Sequence, residues 1–342
     1  MNTVYENTVL ETKLTELLNS DLEVRALMTI DDSLTEGAGL TKVINRYTFH
    51  GEVEQLYAGE TNGAESYIYF TPETYTVKRY QQTFRYNDME VMRDPAMIDA
   101  ALKGMADAMG NQIRQEYFDQ LRRIRNRHPF SGDTVAYTDI VEALGNIGRE
   151  VEDGLFIIMG TDARTAIRLN PDFIAARQGE ILYSGQFGTL CGIPVLFSRL
   201  VPANTVIITE KAAVKFFVKR EAGLEQVRDI ETKDNTVVYE RHGLIALVDD
   251  TSSVILGKGA PEMVASITRT EQGLSLTASM SDSERIYYTA DADAALLGEN
   301  VSHWRMWNGG IITKLDENAE RISIALTDKS GVTKKSISLP LA

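Results

Sequence analysis

Two strand patterns flank a polar stretch near the N-terminal end of the chain. Residues 41–50 are rich in β-branched and aromatic side chains, which suit a strand, and a similar pattern covers residues 74–86. The Asn62-Gly63 dipeptide between them is a strong turn signal, because both residues tolerate positive φ. Together these patterns predict a long hairpin. An isolated two-stranded hairpin is marginally stable in water, so this one should lie on a further surface.

The longest helical pattern predicts a helix over residues 95–127. Asp94 suits the N-cap and Pro95 the first helical position, where proline sacrifices no hydrogen bond. At 1.5 Å per residue this helix would span about 50 Å, which makes it the spine of its domain. Its apolar side chains recur three or four positions apart: Ile98, Leu102, Met105, Met109, Ile113, Tyr117, Leu121 and Ile124.

Helix and strand patterns alternate from residue 133 to about 259 and predict an α+β sheet domain. The segment Gly257-Lys-Gly-Ala-Pro261 then has the composition of a linker. About seven short β patterns follow within residues 260–342, which is typical of an immunoglobulin-like β-sandwich with Trp304 or Trp307 in its core. The helices of the α+β part are predicted at 138–147 and 162–169, and its strands at 155–159, 193–197, 206–209, 214–218, 237–241 and 244–248.

The N-terminal residues predict a short amphipathic helix followed by an extended arm. Thr8 and Glu11 form a capping-box pattern ahead of leucines at helical spacing. Either this helix packs on its own domain, or the arm reaches a neighbouring subunit.

Composition narrows the class of protein. With 43% hydrophobic and 25% charged residues, the 342-residue chain resembles ordinary globular proteins. Its net charge of −14 disfavours a dedicated nucleic-acid or membrane binder, because an acidic surface repels phosphate and anionic headgroups. One cysteine, Cys191, permits no intrachain disulfide. Residues 1–20 lack a signal-peptide pattern, so we expect synthesis in a cytoplasm without secretion.

No catalytic constellation is recognisable. The four histidines are scattered without zinc-site spacing, the glycines do not form a phosphate loop, and no nucleophile elbow surrounds Ser184. The sequence therefore predicts a protein that is not an enzyme and that has no metal site and no cofactor.

Charge is unevenly distributed between two segments. Residues 51–66 contain acids and neither Lys nor Arg, whereas arginines crowd the end of the predicted long helix. These cations can complement the helix dipole, face phosphate, or receive the acidic hairpin tip of another subunit. The candidate subunit-interface residues are Glu52, Glu54, Glu60, Glu65, Arg114, Arg122, Arg123, Arg125 and Arg127.

The order of these parts resembles the major capsid proteins of tailed bacteriophages, whose fold is named after phage Hong Kong 97. The resemblance is carried by the segment from Tyr80 into Asp94-Pro-Ala-Met-Ile, by Leu155-Phe-Ile-Ile-Met-Gly with Phe187-Gly-Thr-Leu-Cys-Gly-Ile-Pro-Val, and by Val238-Tyr-Glu-Arg-His-Gly-Leu-Ile. It covers residues 1–259 and is one of layout rather than of an invariant motif.

The resemblance implies a division of the chain into the parts of that fold. Residues 260–342 would be an added immunoglobulin-like sandwich. The capsid part would comprise an N-terminal arm at 1–36, an extended E-loop at 37–80, a peripheral domain at 81–133 and 240–259 containing the spine helix 95–127, and an axial domain at 134–239.

The resemblance also implies a function and its partners. The chain would assemble with itself into the pentamers and hexamers of an icosahedral virion shell, formed in the host cytoplasm around double-stranded DNA that it contacts weakly. A separate scaffolding protein and a portal would be further partners, and the C-terminal domain would contact a host surface or decoration protein. Two alternatives remain open: an encapsulin-type compartment shell, and a cell-surface or carbohydrate-binding protein acting through the sandwich.

Overall fold

The structure, a computed structural model, groups the chain into two compact units. One unit holds residues up to Ile44 with Glu73–Gln120 and Val214–Val248, and the other holds Asn45–Pro72, Leu121–Ala213 and the remainder from Asp249. The predicted N-terminal helix lies outside the described residues. Those residues are 27–36, 39–51, 53–57, 61, 63, 66–149, 152–169, 189–270, 272–313, 315 and 319–341.

The first unit is built on a four-stranded sheet of order β1-β10-β11-β4. Strands β10 and β11 form a long antiparallel pair, and β11 pairs with β4 along the full length of β4. Residues 237–241 and 244–248, predicted as separate strands, belong to the single strand β11. Residues 214–239, assigned from the sequence to the axial domain, therefore share a sheet with β4. The strands are β1 Thr29–Asp31, β4 Lys78–Asn87, β10 Val214–Arg228 and β11 Asp234–Leu247.

Two helices follow β4. The short helix α1, Asp88–Arg93, begins with a capping box in which Asn87 and Glu90 satisfy each other's backbone N–H groups. The long helix α2, Ala96–Leu121, has 26 residues and spans about 39 Å. Its predicted apolar stripe is buried, from Ile98 at 2% exposed to Leu121 at 0%.

The long helix ends at Leu121, so the prediction that it continues to Arg127 was wrong. Residues Arg127–Phe130 form strand β5, which pairs in parallel with β12, Val254–Lys258. The backbone N–H of Ile255 already donates to the Asn126 carbonyl, at 3.1 Å. Hydrogen bonds to a strand that is distant in sequence thus replace those of further helical turns. Pro129 is tolerated because β5 lies at the edge of its sheet.

The second unit contains a six-stranded sheet of order β5-β12-β9-β6-β8-β7. Its core includes Ile140, Ile157, Ile167, Ile208 and Leu256, each fully buried. The helices and strands predicted between residues 138 and 209 are present within one residue of the predicted bounds. They are α3 Tyr137–Ile147, β6 Leu155–Met159, α4 Thr161–Leu169, β8 Ile193–Phe197 and β9 Val206–Glu210, and the two-residue strand β7, Thr189–Leu190, was not predicted.

The C-terminal residues fold into a four-stranded sheet of order β16-β15-β17-β18 and a separate pair, β13-β14. Both sheets contribute to one apolar cluster that includes Leu276, Ile286 and Ile324. Two of the seven expected β patterns, at 303–307 and 311–315, are shorter among the described residues, where they give the two-residue β16 and an isolated bridge at Ile312. The strands are β13 Ala265–Thr270, β14 Gly273–Ala278, β15 Glu284–Ala290, β16 Arg305–Met306, β17 Arg321–Asp328 and β18 Thr333–Pro340.

The segment predicted as a linker begins inside a strand. Gly257 and Lys258 lie in β12, opposite Pro129 and Phe130 of β5. A Cβ atom on Gly257 would stand 2.8 Å from Cδ1 of Leu296, so the missing side chain serves close packing here. A linker composition was misleading because glycine suits close approach as well as flexibility.

The predicted long hairpin exists, with different strand bounds. Strand β2, Thr41–His50, pairs with β3, Tyr67–Thr76, rather than with residues 74–86 as predicted. At one end the Val77 N–H donates to the Leu40 carbonyl, at 2.7 Å. The predicted strand at residues 74–86 is divided between β3 and β4, because β4, which begins at Lys78, pairs with β11 instead of β2.

Replacing Gly243 by alanine should destabilise the chain by about 1–3 kcal/mol, because this overpacks a filled position. Its Cβ would meet the Phe217 carbonyl oxygen at 2.8 Å, and that oxygen belongs to the backbone of the neighbouring strand. Urea-induced unfolding of the variant and of the unchanged chain measures the effect.

The matched control is Gly104→Ala, an exposed position inside α2 with no atom within 4 Å of the new methyl group. It should raise stability by up to about 1 kcal/mol, the helix propensity of alanine over glycine. Equal midpoints for the two variants would contradict the packing described for β10 and β11.

Candidate assembly surfaces

The outer face of the β2–β3 sheet is apolar and exposed. Tyr47, Ile68 and Phe70 are 62%, 63% and 58% exposed. The rings of Tyr47 and Phe70 contact each other across the strands, with centroids 6.4 Å apart. Ile68 lies on the same face as Phe70, because alternate residues of a strand share a face. These three residues are the hairpin patch.

The opposite face of the same strands is buried against the chain at one end only, since Tyr67, on the same face as Tyr75, is 51% exposed. Ile44 and Tyr75, each 7% exposed, pack with Phe217, Leu244 and Ala246 of the first unit. One face is therefore covered by the chain itself around Ile44 and Tyr75, while the other presents aromatic and aliphatic side chains to solvent. Contiguous exposed apolar surface of this kind marks interaction sites.

The connection between β2 and β3 carries further exposed apolar residues. Val53, Leu56 and Tyr57 are 100%, 41% and 74% exposed. Of the four predicted interface acids, Glu54 accepts a hydrogen bond from the backbone N–H of Gly63 at 2.9 Å, which ties the two sides of this connection together. Glu52, Glu60 and Glu65 lie outside the described residues.

The five predicted interface arginines occupy different surroundings. Arg114, on α2, bonds to Asn111 at 2.6 Å. Arg122 and Arg123 lie half-buried in the turn after α2. Arg125 and Arg127 are engaged with acids of their own chain, which argues against a subunit contact for these two.

Arg125 forms a bidentate ion pair with Asp250. Its Nε and one terminal nitrogen each lie 2.8 Å from a carboxylate oxygen, and its backbone N–H donates to the same carboxylate. Arg46 of β2 adds a second cation at 3.6 Å. Burial opposes the charge of Asp250, but the hydrogen bonds and charge of Arg125 outweigh it and hold the pKa of Asp250 below its usual value.

Arg127 is still more deeply buried. Its side chain is 1% exposed, and a terminal nitrogen lies 2.7 Å from the carboxylate of Glu299. The Arg127 guanidinium also stands over the Trp304 ring, 5.3 Å from its centroid.

An open groove of about 400 Å³ lies between the start of β4 and helix α2. Its buried carboxylate, Glu116, accepts a hydrogen bond from the Tyr80 hydroxyl at 2.8 Å and pairs with Lys78 at 3.1 Å. Burial and the Glu116 charge raise the pKa of Tyr80, which keeps the phenol protonated. These groups satisfy one another within the groove.

The part of the chain that the structure describes has neither a metal-binding cluster nor a membrane-spanning helix. It contains no group of three or more His, Cys, Asp or Glu side chains that could hold a metal. None of its helices has the length and apolar character needed to span a bilayer.

Comparison with known proteins identifies the family. The sequence profile of the Phage capsid protein family matches residues 71–256, which is more than half of the chain. This chain belongs to the phage capsid protein family. A capsid protein is a structural component of the virion, and the comparisons favour neither the encapsulin nor the surface-binding alternative.

Individual relatives agree with this assignment. A curated major capsid protein of Staphylococcus phage phiMR11 is 22% identical over 257 residues, covering 71% of this chain and 89% of the relative. The capsid protein of a native GTA particle has a TM-score of 0.54 at 12% identity, covering 69% of this chain and 90% of that one. The capsid of cyanophage P-SCSP1u gives 0.52 at 12% identity, covering 68% and 86%. These structures share the mixed α and β capsid fold.

Sequence reasoning missed both buried ion pairs of this capsid protein. The pairing of Arg125 with Asp250 could not be read from the residues around either side chain. The partners of Arg125 and Arg127 lie more than a hundred residues away in sequence, so no local pattern indicates them.

Replacing Asp250 by asparagine should lower the free energy of unfolding at pH 7 by about 3 kcal/mol, because it leaves buried arginines without a counter-charge. The folded pKa of Asp250 is depressed, so its contribution is present above pH 4 and is lost as pH falls further. The difference between the two proteins should therefore shrink between pH 7 and pH 3 in denaturant titrations.

Asp133→Asn is the matched control. Asp133 pairs with Lys258 at 2.7 Å, but its side chain is 97% exposed, and exposed pairs contribute little. Similar losses in the two variants at pH 7 would contradict a special role for the Arg125–Asp250 pair.

Proposed function

We propose that this capsid protein is the major subunit of a tailed-phage or prophage shell, assembling into pentamers and hexamers of an icosahedral capsid. The observation that carries the proposal is the hairpin patch on a chain of the phage capsid family. The strand pair exposes this apolar patch on one face and packs on its own chain at one end of the other face. Such a patch is suited to being covered by another copy.

A contact made by an extended hairpin on a neighbouring copy can build closed rings of subunits. When a surface of one copy docks on a different surface of the next, the contact is head-to-tail, and it closes into a ring if the rotation allows. Extended limbs that lie over neighbours increase the buried area per subunit, and obligate interfaces are large and apolar. In this proposal residues 37–80 act as the E-loop, α2 is the spine helix, and the peripheral and axial domains supply the remaining contacts.

The C-terminal residues are proposed to form an immunoglobulin-like sandwich on the outside of the shell. Two sheets around one shared core support this, together with Trp307, which packs against that core. From such a position the domain could contact a host surface or a decoration protein.

The overall charge supports a shell that encloses DNA without adhering to it. A net charge of −14 repels phosphate, so packaged double-stranded DNA would be contacted weakly. Assembly in the host cytoplasm, a separate scaffolding protein and a portal complete the proposal, by resemblance to tailed-phage capsid proteins.

Replacing Tyr47 and Phe70 together by serine should abolish shell formation. Both side chains are exposed, so the unassembled subunit should keep its secondary structure and its unfolding midpoint. Electron microscopy and sedimentation of the expressed protein measure assembly. The unchanged chain is expected to give closed particles with fivefold and sixfold capsomers.

Val264→Ser provides the control, because Val264 is a 91% exposed apolar residue away from the hairpin patch. It should leave shell formation unchanged. Normal particles from the Tyr47 and Phe70 double variant would argue against the hairpin patch as a subunit contact. Absence of particles from the unchanged chain, with every partner protein present, would argue against the capsid role itself.

Reversing Arg122 and Arg123 to glutamate should reduce assembly, if these cations receive the acidic E-loop of a neighbour. Opposite charges across an interface steer association, whereas like charges oppose it. The rate of assembly, followed by light scattering at several salt concentrations, measures the effect, and the loss should diminish as salt screens the repulsion.

Reversing Arg305 and Lys329 instead gives the same change in net charge at exposed C-terminal positions. An equal reduction in both double variants would attribute the effect to net charge, and the pairing hypothesis would then be wrong.

A further inference from the structure

The junction between the family-matched residues and the C-terminal residues is ordered and tightly bonded. The profile match ends at residue 256, yet the chain continues directly through Gly257 and Lys258 of β12. Gly259 then forms an antiparallel bridge with Leu296, and the Leu297 N–H donates to the Lys258 carbonyl at 2.9 Å. The C-terminal loop at residues 293–304 is thus hydrogen-bonded to the end of strand β12.

A second set of bonds joins the same loop to β5. The Arg127 N–H donates to the Asp293 carboxylate at 2.7 Å, and the Asp293 N–H donates to the Arg125 carbonyl at 3.0 Å. Asp293 is itself held by Arg321 of β17 at 2.7 Å. Backbone groups of Arg125 and Arg127 are therefore hydrogen-bonded by Asp293 of the C-terminal loop, and the backbone N–H of Asp293 is hydrogen-bonded in return.

The buried Arg127–Glu299 pair is at the centre of this junction. The Glu299 carboxylate accepts from Nε of Arg127 at 2.9 Å and from a terminal nitrogen at 2.7 Å. Its position is fixed from within the C-terminal region, because it also accepts the Leu296 N–H at 2.9 Å and its carbonyl accepts the Thr333 N–H at 2.8 Å. Trp304, beside Arg127, packs with Ala295, Val301 and Ala325.

We propose that β5 and the end of β12 form a docking surface for the chain's own C-terminal domain, and that the capsid fold requires this domain because Glu299 supplies the counter-charge of buried Arg127. The domain is then a structural part of the subunit rather than an appendage on a flexible linker. This inference concerns the folding of one chain and does not depend on assembly.

The physical reason is the cost of an unmatched buried charge. Arginine stays protonated at any pH that proteins tolerate, so Arg127 cannot escape by losing its proton. A buried charge is tolerated only when it is paired, and removing one partner of a buried pair is strongly destabilising. Arg127 lies in a strand of the six-stranded sheet, so the penalty for losing Glu299 falls on that sheet as well.

The test is hydrogen–deuterium exchange on the full-length Glu299→Gln variant, compared with the unchanged chain in the same assembly state. Deuterium uptake should rise at residues 127–130 and 254–258 as well as in the C-terminal loop. The midpoint of thermal unfolding should fall by about 10 °C, as expected when a buried pair is broken in a domain of this size. Increased uptake confined to residues beyond 260 would overturn the proposal.

Two further variants complete the test. Glu262→Gln makes the same substitution at an exposed position of the C-terminal region and should change neither uptake nor midpoint. The double variant Arg127→Met with Glu299→Gln contains no unmatched charge, so it should recover at least half of the lost midpoint. If Glu299→Gln yields no soluble protein, recovery of soluble protein by the double variant supports the proposal. Failure of the double variant to improve on Glu299→Gln overturns it.

Discussion

A strand pair that packs on its own chain at one end of one face, and exposes apolar side chains on the other face, is the constraint on which the functional interpretation depends. The chain buries Ile44 and Tyr75 on one side of β2 and β3 and holds Arg46 near the buried Asp250. On the other side it leaves Tyr47, Ile68 and Phe70 in solvent. Such an arrangement keeps the strands extended and directs an apolar surface outwards. In the proposed shell, a second copy removes that surface from water.

Two buried ion pairs limit which arginines after α2 can contact phosphate or another subunit. Arg125 and Arg127 follow α2 closely in sequence, and both are paired with carboxylates of the same chain, Asp250 and Glu299. The cluster that looked like a surface for phosphate or for another subunit is thus partly an internal junction. Close packing of Gly257 against Leu296 belongs to the same junction. In the proposed architecture it makes the C-terminal domain continuous with the capsid fold.

Elements with a clear local period could be predicted from the sequence. Strands β2, β6 and β8 have the predicted bounds, because runs of β-branched and apolar residues between turn signals define them locally. The end of α2 could not be predicted this way, since Ile124 fits both the helical stripe and a buried turn. Hydrogen bonds from β12, more than a hundred residues away, decide between them. The hairpin partner of β2 was misassigned for a related reason, as β11 competes for residues 78–87.

The candidate site was predictable only in part. The acidic connection between β2 and β3 and the arginine cluster after α2 are both visible in the sequence. That Arg125 and Arg127 pair within the chain is not visible, because Asp250 and Glu299 lie far from them in sequence. The hairpin patch was also hidden, because a strand pattern alone does not tell which face the chain will cover.

The most direct measurement is a high-resolution reconstruction of the assembled protein, from which the accessible surface of Tyr47, Ile68 and Phe70 can be compared with that in the single chain. The account predicts that another copy of the chain covers most of this surface. Particles in which these three side chains remain in solvent, or lie only against their own chain, would contradict it.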